Sequence, residues 1–493
     1  MHNDLLFPGA TAADSTAATA QSTSRRAAVI SIVVVAAFAV RMAFFHFQSG
    51  DYTAYFGPWF QYIASHGGFH ALKTNFSNYN VPYLYLLAIP TYTPVSALLA
   101  VKLVSVVFDF LLGFFVYKIV GLRHPGTWWP VLAGAVTLFL PTVVVNSAMW
   151  GQVDAMYSSL SLGGLYFVLR KKPWLACVFF GLAFAFKLQA VFIFPLLLVL
   201  VLRRYVPWRC LVAIPLVYAM LDIPALLLGA SPHDLLTVYT SQTDTYDQLT
   251  LNAPNLYQYI GNETTSHTLR TVAVVVTGVV VLALVVAAIA SRAELTPLRI
   301  ILAATVSAIV VPFLLPEMHE RYFYLADALT VISAFYLPRR LWPLPILEQF
   351  ASFFAYLPFL LMTSGRNFGG ARPGGAAPPS GTGRSATGGR PGAGGAPSGG
   401  FPGGYRGGGR FQGGGQAPQG GAPTPDRGLG AGGGHVGGQH IVVSFTILST
   451  AMLIALLIAL WAAIGAFRSR GPWSWRLPRL QLRRPQHGSG VVP

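Results

Sequence analysis

The sequence predicts an all-α polytopic membrane protein, a bundle of about twelve transmembrane helices with polar outer-face loops and one disordered insert. Three observations carry this. Of 493 residues, 54% are hydrophobic and only 10% charged, with a mean hydropathy of +0.55, too apolar for a soluble domain. Apolar runs of membrane-crossing length recur along the chain. Lysines and arginines close those runs, as the positive-inside rule requires. The formal charge of +17 would otherwise invite a nucleic-acid reading. With the basic residues at span ends, no nucleic acid is expected as a partner. The two cysteines, Cys177 and Cys210, lie in or beside apolar segments and form neither a disulfide framework nor a metal site of usual spacing.

Residues 1–24 are polar, rich in Ala, Ser and Thr, and read as a disordered cytoplasmic N-terminus. Arg25-Arg26 precede an apolar run with no clear small-residue cleavage site after it, so 27–47 is a retained first span. Residues 48–79 form a polar, aromatic loop in which Tyr55, Trp59 and Tyr62 fall at helical spacing, as in a helix lying at the interface. The piece at 80–94 enters as Asn80-Val81-Pro82-Tyr83-Leu84-Tyr85, is short and is interrupted by Pro90 and Pro94. It is expected to dip in or lie at the surface, because broken backbone is tolerated only where protein or water covers it. Spans at 95–120 and 127–146 lead to the polar run Trp150-Gly151-Gln152-Val153-Asp154.

Residues 155–169 end at Arg170-Lys171-Lys172, which places that end inside and Asp154 outside. Two short apolar halves in 173–202 flank Lys187-Leu188-Gln189 and close on Arg203-Arg204, so Lys187 stands near the outer rim. Spans at 207–229, 268–290 and 297–315 follow. The run Pro316-Glu317-Met318-His319-Glu320-Arg321-Tyr322-Phe323-Tyr324 is outside. Further spans end at Arg339-Arg340, at 342–363 and at 441–467. The expected domains are a transmembrane catalytic domain over 25–364, a Gly/Pro/Arg-rich extracytoplasmic loop over 365–439 that buries too little apolar surface to order itself, a last span over 440–467 and a basic cytoplasmic tail over 468–493. The expected location is the cell membrane, multi-pass, with both termini cytoplasmic.

The charge signs place Asp51, Asp154, Lys187 and the 317–321 cluster on one membrane face. Each has a plain structural reading: Asp154 as a helix cap, His319-Glu320-Arg321 as an interfacial ion cluster, Tyr322 and Tyr324 as interfacial aromatics. Arg41, inside span one, is expected to snorkel outward. Asp109 and Asp222 are expected to pair within the bundle. Taken together, carboxylates and cations at the rim suit a base that deprotonates an acceptor hydroxyl and cations that stabilise a departing lipid phosphate.

An Asp in the first outer loop, the Pro82-Tyr83 entry, Lys102 and Asp109, Trp150-Gly151-Gln152-Val153-Asp154, Lys187-Leu188-Gln189 before Pro195, and Met318-His319-Glu320-Arg321-Tyr322 together resemble the GT-C fold glycosyltransferases over about residues 27–340. The nearest resemblance is to prokaryotic relatives of the GPI-anchor mannosyltransferases. The resemblance implies a GT-C-like bundle that moves a hexose, mannose being the first choice, from a polyprenyl-phosphate sugar to a glycan, lipid or protein acceptor, with inversion. It implies Asp51 as base, with Asp154 as the substitute, since the chain has a single Asp where the family often shows a fuller acidic motif. Trp150, Gln152, Lys187, His319, Glu320, Arg321 and Tyr322 would bind substrate. Metal dependence stays open, with Glu317 and His319 as the groups that could ligate a divalent ion. The rival readings are a transporter, a lipid-linked glycan flippase, or a polymerase.

Overall fold

In the computed structural model, residues 12–240, 248–260, 267–367 and 443–468 are described. The chain divides into two units, Met1–Gly369 with Val442–Pro493, and Gly370–Ile441. The second unit, which holds most of the Gly/Pro/Arg-rich loop, lies outside the described residues, as do residues 1–11 and the tail beyond 468.

Helix α1 (Ala12–Met42) takes in residues 12–24 as well as the first apolar run. The polar loop after it is ordered. A π-turn at Tyr52–Phe56 passes into α2 (Gly57–Ser65), started by Pro58. Helix α3 (Val81–Ala88) is eight residues long. Asn80 caps it by accepting from the Val81 amide, Pro82 fits its first turn, and a 3₁₀ turn at Ile89–Tyr92 ends it. An element this short cannot cross a bilayer. Its inner side is sealed instead by an aromatic cluster of Phe56, Trp59, Tyr79 and Tyr83.

Helix α4 (Ala97–Arg123) is capped by Ser96. Helix α5 (Trp129–Phe139) and the short α6 (Pro141–Val144), which runs on as a π-turn to Trp150, form a pair bent by 53° at Leu140–Pro141. Pro141 cannot donate to α5, so the break follows from its chemistry. Then come α7 (Asp154–Leu169), α8 (Pro173–Phe186), a 3₁₀ turn at Leu188–Ile193, α9 (Phe194–Leu202), α10 (Ala213–Leu227), α11 (Pro232–Thr237) and α12 (His267–Ala290). They are followed by α13 (Pro297–Leu314), α14 (Tyr324–Tyr336), α15 (Pro338–Leu341), α16 (Pro343–Asn367) and α17 (Phe445–Arg468). Two-residue strands β1 (Thr250–Leu251) and β2 (Met318–His319) pair in parallel.

Among the described residues, five helices are long and apolar enough to cross a membrane, or six with the bent pair as one span, and three shorter apolar helices accompany them. The fold is mostly helical, with several apolar helices compatible with a membrane protein. About twelve full crossings are not reached among the described residues, where several apolar elements are short or broken. Helices α4, α7, α8, α13 and α14 form the core, with α7 packed against both α4 and α8. Gly163 and Gly164 let this happen, because a Cβ on either would fall within 2.3–2.8 Å of the Phe179 or Phe180 ring.

The expectations for Arg41, Tyr324 and Asp222 are corrected, while Asp109 pairs within the bundle as expected. Arg41 does not snorkel: it is fully buried, and its Nε lies 2.7 Å from Asp109 Oδ2. The depth of the site makes pairing the cheaper solution. Asp109 also accepts from Ser147 and, at 3.3 Å, from Tyr324, so Tyr324 is a core residue and not an interfacial one. Asp222 is buried, but it has no ion pair or hydrogen bond among the described residues.

Candidate active site

The site grows from one irregular turn. The π-turn over Val145–Trp150 ends at Gly151, whose φ of 80° is left-handed backbone that glycine adopts without cost. A Cβ there would also meet Val101 Cγ1 at 3.3 Å. The reversal turns the Trp150 and Gln152 side chains toward the first loop. Asp51 Oδ2 accepts from Trp150 Nε1 at 3.0 Å and from the Gln152 side-chain amide. Ser49 pins the same turn by donating to the Trp150 carbonyl at 2.7 Å. Lys102, deep in α4, donates to the carbonyls of Phe44 and Phe47 at 2.8 and 2.5 Å, holding the segment that leads to Asp51.

Asp154 is not a cap. It is the first residue of α7, the cap position belongs to Val153, and no side-chain capping bond is made. The fully buried carboxylate instead accepts from Lys187 Nζ at 2.5 Å and from Asn146 Nδ2 at 3.0 Å, with Arg321 Nε 3.8 Å away. Its place at a helix N-terminus suits a negative charge. Lys187 reaches it because α8 breaks there: the residue is extended (φ −157°, ψ 135°) between α8 and the 3₁₀ turn.

The run after α13 completes the cluster. Arg321 Nη1 donates to Glu320 Oε1 at 2.7 Å, and its guanidinium lies 5.4 Å above the Trp150 ring and 5.8 Å above the Tyr322 ring. Lys187 Nζ sits 5.9 Å from the Tyr157 and Tyr322 rings. His319 Nδ1 is 3.7 Å from Glu320 Oε2. Burial and then Arg321 hold the His319 imidazole below its ordinary range. Burial pushes the Glu320 carboxyl up, but the His319 and Arg321 neighbours outweigh it and leave it below the usual range. Burial likewise opposes the Arg321 charge, and Glu320, Asp51 and Asp154 outweigh it, so the guanidinium stays charged.

The turn, Lys187 and the 319–322 run thus meet, and Asp51 joins them through Trp150 and Gln152. A cavity of about 120 Å³ opens among Asn78, Tyr79, Lys187, His319, Arg321 and Tyr322. Asp51 and Asp154 are not in its lining. The half-exposed Asp51 stands to one side and Asp154 lies beneath the two cations. Glu317 points away and is ion-paired with Arg270. Among the described residues no group of three or more His, Cys, Asp or Glu could hold a metal ion.

Sequence reasoning missed Asn146, which orients Asp154, and Tyr79 and Asn80, which line the cavity. The cap signature Asn80-Val81-Pro82 was the available signal for the last.

Compared with known proteins, residues 76–316 match the model of glycosyltransferase family 87. The match takes in the Trp150–Asp154 turn and Lys187 and stops short of Asp51 and the 318–322 run. No curated protein and no solved structure matched the chain.

Proposed function

We propose that the chain is a glycosyltransferase that moves a hexose from a polyprenyl-phosphate sugar to an acceptor hydroxyl on the extracytoplasmic side of the membrane, a reading that the family 87 match over residues 76–316 supports. The observation that carries this reading is the pair of cations, Lys187 and Arg321, facing one small cavity over buried carboxylates. The cavity is smaller than the roughly 300–1,000 Å³ of a whole small-molecule site, so it suits the charged end of a donor. Arg321 lines the cavity with Nη1 committed to Glu320, and the Lys187 ammonium has three donors of which one goes to Asp154. Both therefore keep capacity for phosphate oxygens.

Asp51 acts as the base. As the acceptor oxygen attacks the anomeric carbon, its proton passes to the Asp51 carboxylate. The bond between that carbon and the phosphate oxygen breaks, and the electron pair leaves with the phosphate toward Arg321 and Lys187. Attack opposite the leaving phosphate inverts the anomeric centre. Trp150 and Gln152 hold the carboxylate in position, and Asp154 keeps Lys187 and Arg321 in place. His319 and Glu320 set the Arg321 geometry, and Tyr322, in the cavity lining, offers a face for the sugar. The fold would be of GT-C type and the hexose mannose. The Lys and Arg distribution supports a multi-pass plasma-membrane arrangement with both termini cytoplasmic and this site outside.

The test is a transfer assay on purified protein with a short-chain polyprenyl-phosphate mannose. Release of polyprenyl phosphate with formation of a new glycosidic bond is expected. Transfer from a nucleotide sugar, and none from the lipid donor, would overturn the donor assignment.

A further inference from the structure

A second cavity of about 630 Å³ lies beside the first, walled by α8, α10 and α11. Its wall includes Phe184, Tyr218, Asp222, Leu226, Leu236 and Tyr239. All but the carboxylate and the two phenols are apolar. Leu226 and Leu236 at its edge are 39% and 72% exposed, so it opens on the apolar outer face of the bundle. Asp222 is only 4% exposed, and its Oδ1 has no hydrogen-bond partner. The neighbouring hydroxyls cannot serve it. Tyr218 donates to the Leu235 carbonyl at 3.1 Å, Tyr85 to Leu221 at 2.8 Å and Tyr239 to Phe184 at 2.6 Å.

A buried carboxyl group without a donor is costly in an apolar setting. We infer that this cavity is a binding site for a membrane-borne long-chain alcohol: the apolar body fills the cavity and its hydroxyl donates to Asp222. Entry is from the hydrocarbon side, past Leu226 and Leu236, which selects a lipid-soluble body. The single acceptor selects one donor at its head. A neutral hydroxyl enters the hydrocarbon at less cost than an ammonium would. Tyr239 stands in the walls of both cavities, so the ligand lies against the site that holds Lys187 and Arg321.

The experiment is photolabelling of the full chain in nanodiscs with a twelve-carbon diazirine alcohol, with its methyl ether as control, read by mass spectrometry. It is independent of sugar transfer, so its failure leaves the transferase reading standing. The alcohol is expected to label peptides from 213–240 saturably, about tenfold more than the ether. Asp222→Leu should bring the two probes level, and Asp222→Asn, which keeps an acceptor oxygen, should retain the preference. Equal labelling by alcohol and ether in the unmodified protein would overturn the site, and that comparison stands even if a variant does not fold. So would an undiminished preference in Asp222→Leu.

Discussion

At the residue scale, Arg321 is the most committed side chain of the site. It faces Glu320 and Asp154 and lies over two aromatic rings. Replacing it with alanine leaves two buried carboxylates short of a cation, a change that costs about 3–5 kcal/mol, so lost activity there would say little. Arg321→Lys keeps the charge and loses the planar donor fork. Its expected outcome is a folded enzyme with donor KM raised about tenfold or more, and an unchanged KM would remove the phosphate role. His319 carries a second prediction. Burial and Arg321 depress its folded value below 6.5, so between that value and 6.5 the unfolded chain binds a proton that the folded chain does not. Stability is therefore full above pH 6.5 and declines as pH falls below it. Glu320, also depressed, adds a loss of the same sign that starts below 4.5. The thermal midpoint in detergent, followed from pH 7.5 to 5, should fall, and His319→Gln should flatten that fall.

At the element scale, the site depends on places where helices stop being regular. The π-turn before Gly151 aims Trp150 and Gln152 at Asp51, and the break at Lys187 lets its ammonium reach Asp154. Gly151→Ala would put an L side chain at φ 80° and crowd Val101 at 3.3 Å. A cost of about 1–3 kcal/mol is expected, with transfer falling more than the thermal midpoint implies because Gln152 and Trp150 shift. Transfer unchanged in Gly151→Ala would show that the turn does not position the base. These breaks were legible in part. Lys187 between two short apolar halves reads as a broken element, and the polar run at 150–154 stands out between apolar stretches. The π-turn itself was not, because Val145 to Trp150 carries ordinary helical residues and the extra residue per turn comes from tertiary contacts, such as Ser147 on Asp109. The Arg41–Asp109 pair was equally hidden. Both charges were visible, but 68 residues apart, and composition does not say which helices touch.

At the scale of the whole molecule, the helical membrane character was plain from apolar content and from where the cations sit. The count of crossings was not, since α3 and the halves around Lys187 are too short to tell spans from re-entrant pieces by length alone. The gathering of distant polar runs was legible only through charge signs. Charge signs placed Asp51, Asp154, Lys187 and residues 317–321 on one face; in the fold Asp51, Asp154, Lys187 and Arg321 are linked, in part through Trp150 and Gln152, by hydrogen bonds, ion pairs and ring contacts, while Glu317 pairs elsewhere with Arg270. Group transfer by this assembly would take Asp51 as its base. Asp51→Asn tests that most directly, because asparagine still accepts from Trp150 and Gln152 and keeps the fold while it no longer takes a proton. In single-turnover assays with a polyprenyl-phosphate mannose, the variant should bind donor with unchanged affinity and transfer sugar about 10²–10⁴-fold more slowly. Transfer at the rate of the unmodified enzyme would contradict the account.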